Sequence, residues 1–485
     1  MSTLPRTLAL GAVVALAALP AAAQQPIELA PSGAWNWYGN PRGIYHNGQL
    51  ITGHVASNGN VQTVSYDLAT GAIDLATILT PAQIKPGDPE IDDHNPPSFF
   101  ETSDGRLTAF AAGHNESDIW YRVAQTPGQA DWGDLRTIDN SDIPGTKGHT
   151  YPQAFALPGS TDQVFLSWRG ANWNPSYSIG TYSTASQSWS WTPAANYIAD
   201  PANSSSVRPY TLIHGNGDKI GLLFTDNHPR DASNNLYYAQ IARDGDGDLA
   251  FFQADGTPIR KVATGPLQLS EAQKVFDRTA APQTDGDNSW GWDIAFDDAG
   301  LPVVTYATFV PDAARPDLQA RDTHQYHYAR FDGQAWQDHT LVADAGGTIA
   351  NLQVGNRSEY HYSGGVALDP SNPDLVYLSR KVGGQFELER WLTDDGGATW
   401  DVTALTATPG VEDVRPFVPI GLPRDLEAVV WMSGQYEYWE PVSYNGGTVS
   451  WDTRVLASVR LVPEPAAGAL LAALGPALLA RRRRR

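Results

Sequence analysis

The chain has 485 residues, a net charge of −21 and no cysteine. That acidity excludes nucleic acid as a partner, since a polyanion is repelled, and the absence of cysteine excludes disulfides, thiolate nucleophiles and thiolate metal ligands. Sixteen Trp, 20 Tyr and 14 Phe, with 45 Gly and 35 Pro for turns, fit an all-β chain of many short strands.

At the N-terminus Arg6 precedes an apolar run from Leu8 to Leu19, followed by Pro20 and Ala21-Ala22-Ala23. This predicts a secretory signal peptide over residues 1–23, cut after Ala23. Residues 24–461 have one texture throughout. Short alternating runs are broken by turn pairs such as Asn47-Gly48, Asp255-Gly256 and Asp332-Gly333. The runs recur in units of roughly 60 residues, which predicts a single β-propeller of seven four-stranded blades. A pair of β-sandwiches or a β-helix is the competing architecture. No linker divides the span, and a monomer is expected.

The stretch Leu267–Asp277 reads as a short helix opened by Ser270. Thr393 to Trp400 (TDDGGATW) fits an Asp-box turn, in which Asp395 bonds turn amides and Trp400 packs between strands. Asp395 is therefore structural rather than catalytic. Asp244, Asp246 and Asp248 have calcium-like density, but lack the terminal Glu of an EF-hand loop, so a solvated turn is the better reading. His324 and His327 offer two nitrogen donors with no third in view. No cofactor is required for catalysis, and a structural metal ion is left open without support from the sequence.

Chemistry-bearing residues gather in the first half. Asp93-His94-Asn95 and Gly113-His114-Asn115 flank Ser98–Glu101, the turn Ser103-Asp104-Gly105, and Leu107–Phe110. That is a hairpin, which brings both histidines to one end of a sheet. Next come Gly148-His149-Thr150-Tyr151-Pro152, Trp168-Arg169-Gly170 with Asn172-Trp173-Asn174-Pro175, Arg208-Pro209-Tyr210, and Asp226-Asn227-His228-Pro229. Tyr151 precedes a proline and is expected to be extended. Each residue has a plain structural alternative: a satisfied core histidine or tyrosine, an ion-paired arginine, a core tryptophan.

The ordered set resembles the BNR-4 repeat proteins, and among them the seven-bladed ulvan lyases of polysaccharide lyase families 24 and 25. The match runs from about Gly33 to Gly256 and includes Gly33-Ala34-Trp35 and Asn40-Pro41-Arg42. The resemblance implies β-elimination beside a uronic acid, leaving a 4,5-unsaturated uronate. It implies His94 and Tyr151 as the base/acid pair, in either order, and His114 and Arg169 as groups that neutralise the substrate carboxylate. His149 is the alternative to Tyr151. Asn95, Asn115, Trp173, Arg208, Tyr210 and His228 are read as substrate contacts. The sequence departs from the pattern at Pro97 after Pro96, a stiffer loop that bears on where His94 sits.

The C-terminus runs Pro463-Glu464-Pro465, an apolar stretch Ala466 to Ala480, then Arg481 to Arg485. Residues 462–485 resemble the PEP-CTERM sorting tail of Gram-negative bacteria; an ordinary single-span anchor is the alternative. The resemblance implies a transient inner-membrane stage, processing by an exosortase, and release to the cell surface, the extracellular matrix or the medium. The expected function is an exported lyase acting on an ulvan-like anionic polysaccharide. A non-catalytic glycan-binding matrix protein is the alternative, and a sialidase-like glycoside hydrolase a lesser one.

Overall fold

The computed structural model describes residues 25–89, 91–139, 148–170, 173–199, 208–230, 232–280, 286–314, 322–349, 361–436 and 451–462. The expected signal peptide, and the sorting tail beyond Val462, lie outside them.

Seven antiparallel sheets follow one another along the chain as the blades of a propeller. The blades open on strands Gly43–His46, Ser98–Glu101, Thr150–Ala156, Thr211–Gly215, Asn288–Phe296, Val366–Leu368 and Glu412–Phe417. We number them I to VII in that order. These opening strands line the axis, and each later strand of a blade lies further out. Among the described residues, blades III and IV carry five and six strands, because Ala195–Asn196 adds to III, and Pro258–Lys261 and Gln273–Phe276 add to IV. The other five have four.

The ring closes through the N-terminus. Ile27–Ala30 pairs with Trp451–Leu461 and becomes the outer strand of blade VII. Gly33 N–H donates to Thr453 O at 2.9 Å beside it. Blade I is tied to the strand end of blade VII by Tyr45 N–H to Ile420 O at 2.7 Å. A clasp of this kind pairs the first strand with the last, so its signal is spread over more than 400 positions of sequence.

Alternation puts one face of each sheet against the next blade, and aromatic side chains fill the axis. Trp37 stacks on Trp292 with centroids 4.3 Å apart, and meets Trp290 and Tyr362 edge-on. Rings of this size give the axis a packed floor, and each contributes about 2–3 kcal/mol by burial.

The hairpin expected in blade II is present, with Ser98–Glu101 paired to Leu107–Ala112. The Asp-box turn is also as expected: Asp395 accepts from Thr399 N–H at 2.8 Å, and Trp400 meets Tyr328 edge-on at 5.2 Å. The helix expected at Leu267–Asp277 does not form. A single turn, Leu269–Glu271, gives way to the strand Gln273–Phe276, which pairs with Leu236–Arg243. A helix this short is unstable alone, and an open strand edge beside it offers backbone partners at once. His324 and His327 stand three positions apart on the strand Thr323–Phe331, so they face opposite sides of the sheet.

Candidate active site

The site lies where blades II and III meet, at the end of the ring from which their inner strands start. Antiparallel pairing sets this up. Thr150 pairs with Arg169, and Ser98 with Phe110, so Asp92–Asn95, His114, Tyr151 and Arg169 all fall at one end of their sheets. The Pro96-Pro97 step seats this loop. Pro97 fills the space beside Gly53 of blade I, where an added Cβ would lie 2.3 Å from its Cγ. The stiff dipeptide therefore docks against blade I, and His94 remains beside its expected partners.

The His94 and His114 rings are stacked, 4.0 Å apart and 8° from parallel. Tyr151 lies 5.0 Å from His94. The Arg169 guanidinium sits 4.8 Å over Tyr151 and 4.5 Å over Trp173. It donates from Nη1 to Tyr210 Oη at 3.4 Å and from Nη2 to Thr150 Oγ1 at 3.2 Å. Arg208 stacks on Trp173 at 4.6 Å, and Tyr210 meets His228 edge-on at 5.3 Å. Eight of the ten residues singled out in the sequence thus form one connected patch.

Asn95 and Asn115 stay outside this chain of contacts. Asn95 is buried, and its Oδ1 has no hydrogen-bond partner among the described residues. Asn115 is exposed, and its side-chain oxygen lies against Gly148, where a Cβ would sit 2.2 Å away. Its backbone N–H does contribute, donating at 2.8 Å to the Thr150 hydroxyl that also holds Arg169. His149 is fully buried and turns to the Glu116 carbonyl, 3.1 Å from its Nδ1, and to Trp168.

Tyr151 is not extended as its place before proline predicts. It has φ +59, in the left-handed region, and the register between Thr150 and Gln153 slips by one residue. This is a β-bulge, and it aims the Tyr151 ring at His94 and Arg169. Asn115 at φ +67 and Trp173 at φ +64 share the left-handed conformation. Such backbone costs about 1–3 kcal/mol for each bulky residue and persists where surrounding contacts hold it.

Two carboxylates organise the histidines. Asp92 Oδ1 accepts from His94 Nδ1 at 2.5 Å, and Oδ2 from His114 Nδ1 at 2.7 Å. Asp93 lies 2.9 Å from the same His94 nitrogen, and the Tyr436 hydroxyl of blade VII donates to it. Burial alone would lower His94, but Asp92 and Asp93 outweigh it and push its pKa up to about 9. Burial and the neighbouring His94 charge push His114 down to about 4. Burial works against the Asp92 charge, yet the two histidines hold it well below the usual carboxylate range. Burial, only partly offset by Arg169, holds Tyr151 well above 10.

The sequence motifs gave Asp92 and Asp93 no role; their place two and one positions before His94 was the available signal. Tyr436 had none, lying 343 positions from its partner. Two groups of metal-ligand type gather among the described residues. In Asp92, His94 and His114 the ring Nδ1 atoms face the two carboxylate oxygens at hydrogen-bond spacing. Asp244, Asp246 and Asp248 converge on Lys261 Nζ at 3.4, 2.9 and 2.7 Å.

The pocket beside Tyr151 and Arg169 is small, about 10 Å³, and is lined by Tyr38, Trp168 and Tyr210 among others. The accessible part of the site is the rim, where His114, Trp173, Arg208 and Tyr210 are partly exposed.

No curated protein matches the chain. Among solved structures it is similar to a polysaccharide lyase, the PL25 ulvan lyase bound to -[GlcA(1-4)Rha3S]-, with a TM-score of 0.61 and 13% identity over 91% of this chain and 96% of that one. It is also similar to the polysaccharide lyase Uly1, with a TM-score of 0.53 and 12% identity over 90% and 91% of the two chains. At these identities the likeness shows a shared fold. The family model described as BNR repeat-containing family member matches residues 49–343. That is more than half of the sequence, and the chain belongs to the BNR repeat-containing family.

Proposed function

We propose that the protein is a polysaccharide lyase that cleaves a uronate-containing anionic glycan by β-elimination. The observation that carries this reading is the meeting of His94, His114, Tyr151 and Arg169 in one patch at the rim of blades II and III. Elimination needs three things of a protein. A base removes the C5 proton, a cation offsets the adjacent carboxylate so that this proton becomes acidic, and an acid protonates the oxygen leaving C4. The C5–H electrons form the C4=C5 bond as the C4–O bond breaks.

Arg169 suits the cationic role. Its guanidinium is held by Thr150 and Tyr210 and sandwiched by aromatic rings, so it is oriented before substrate arrives. The two imidazoles and the Tyr151 phenol supply the proton-transfer groups. Trp173 and Tyr210 offer ring faces to sugars, and Arg208 a second positive charge on an otherwise acidic protein. The solved relative bound to -[GlcA(1-4)Rha3S]- supports an anionic glycan of this kind as substrate. The leader and sorting tail read from the sequence would deliver the enzyme to the cell exterior, where such polymers are met.

The test is ultraviolet absorbance from the unsaturated product, read on ulvan and a panel of other uronic-acid polymers. Signal on at least one polymer, lost in a folded His94→Ala variant, is expected. A folded wild-type protein silent on every polymer would sink the reading.

A further inference from the structure

We propose that the propeller axis binds a small monovalent anion of the halide class, held by the buried guanidinium of Arg415. This site stands apart from the lyase reading, and neither depends on the other.

Arg415 lies on the inner strand of blade VII, at its bulge, with φ +57. Its side chain is fully buried in the aromatic floor. The guanidinium carbon is 4.3 Å from the centre of the Trp37 ring, and 5.1, 5.2 and 5.5 Å from those of Tyr436, Tyr362 and Trp292. Rings cover the faces of such a cation, whereas its five N–H donors lie in its plane and need acceptors. Among the described residues, Nε, Nη1 and Nη2 of Arg415 have no hydrogen-bond partner. Cation–π attraction offsets part of the cost of dehydrating the ion, but it leaves those donors unmet. Nor can an arginine shed its proton in compensation.

The surroundings are rich in donors and poor in negative charge. The indole N–H groups of Trp290 and Trp292 are buried, with no acceptor among the described residues. Both rings meet Trp37, at 5.1 and 4.3 Å, so they belong to the same floor. A second buried guanidinium, Arg42, donates to the carbonyls of Trp37 and Gly39 at 2.6 and 2.7 Å. Carbonyls accept hydrogen bonds but bring no net charge. Burial pushes Arg42 down to about 10; Asp293 opposes that fall and Arg415 adds to it, so the two cations feel each other. Burial raises Asp293 to about 6, and its oxygens already accept from the Ile294 and Leu368 N–H groups at 2.8 and 3.0 Å. The Tyr436 hydroxyl donates to Asp93, a carboxylate that already lies 2.9 Å from His94 Nδ1.

A water molecule would give Arg415 an acceptor without charge; an anion gives both. The lining sets which anion. Positive ring edges and indole N–H groups suit a compact ion of single charge, and a divalent sulfate or phosphate loses more hydration on entering such a site.

The test uses the full folded protein in gluconate buffer, with chloride or bromide exchanged for gluconate at constant ionic strength so that screening stays fixed. A saturable rise of about 2–4 °C in the thermal midpoint is expected with either halide. Sulfate should give no saturable step. Crystals grown in bromide should show an anomalous peak against the Arg415 guanidinium. Arg415→Met fills the space between the rings without a charge, and it should lose the halide response. A folded wild-type protein with no halide-specific step, a step with sulfate instead, or an undiminished halide step in Arg415→Met would overturn the proposal. So would bromide crystals with no peak at Arg415, and that arm decides the point even where the methionine variant fails to fold.

Discussion

Tyr151 and Arg169 show how much the site depends on single side chains. Tyr151 is buried, left-handed at φ +59, and placed between His94 and the Arg169 guanidinium. Tyr151→Phe keeps the ring and the stacking and removes only the hydroxyl. We expect a stable protein whose kcat drops about 10²–10⁴-fold in the absorbance assay; near-wild-type turnover would remove Tyr151 from the chemistry. Arg169→Lys keeps the charge but loses the planar fork that reaches Thr150 and Tyr210 together. A loss of about 10²–10³ in kcat/KM is expected, and a lysine variant with full activity would contradict a fixed-cation role.

At this scale most of the site was legible in the sequence. His94, His114, Tyr151 and Arg169 stand in short segments with Asn, Thr, Pro and Gly neighbours, and those segments carry the family resemblance. Asp92 and Asp93 were in plain view beside His94, but a carboxylate in a turn has so many structural uses that proximity alone assigns none. Tyr436 reaches Asp93 across the closing point of the ring, which no local pattern records.

Among elements, the inner strands matter most, and they share a device. Bulges interrupt the inner strands of blade III at Tyr151-Pro152, blade V at Trp292 and blade VII at Arg415-Pro416. Each turns a large side chain toward the site or the axis: Tyr151 meets His94, Trp292 stacks on Trp37, and Arg415 lies 4.3 Å over Trp37. A proline after a strand residue hints at such a bulge, but the expectation of an extended Tyr151 follows the commoner outcome. The helix expected near Ser270 failed for a related reason: the edge of blade IV was available to pair with it.

Two element-level changes follow. Gly53→Ala places a methyl against Pro97 and should cost about 1–3 kcal/mol while displacing the loop that carries His94. Its checks are the thermal midpoint and kcat measured together, and a variant unchanged in both would show that the loop docks elsewhere. Removing residues 25–31 takes away the clasp strand of blade VII. A lower thermal midpoint is expected, with the exposed edge of Trp451–Leu461 prone to pair between molecules; an equally stable monomer would show that the ring closes without the clasp.

The whole molecule is a closed ring whose buried histidines tie its stability to pH. Burial pushes His54 and His214 down to about 4, and burial with the His94 charge does the same for His114. Unfolded, these groups bind protons near pH 6.5, so the unfolded state holds more protons between 6.5 and 4 and stability falls as pH drops through that window. Burial raises Asp293 and Asp369 to about 6, which acts in the opposite direction over part of the same range, but on fewer groups. His94, raised to about 9, contributes stability that is complete below about 6.5 and lost as pH rises to about 9. Thermal midpoints should therefore decline on the acid side from pH 6.5 to 4. A flat profile there would mean that these histidines are not neutral in the fold.

Fold class and blade number were legible because turn pairs and alternation repeat along the whole chain. Closure by the first strand was not, since it joins the two ends. At the level of the molecule the central claim is elimination rather than hydrolysis, and mass spectrometry of the products from a defined uronate-containing oligosaccharide tests it most directly. Elimination predicts two fragments whose masses sum to that of the parent, one of them unsaturated, and neither formed by Tyr151→Phe. Fragments whose masses sum to the parent plus one water would contradict it.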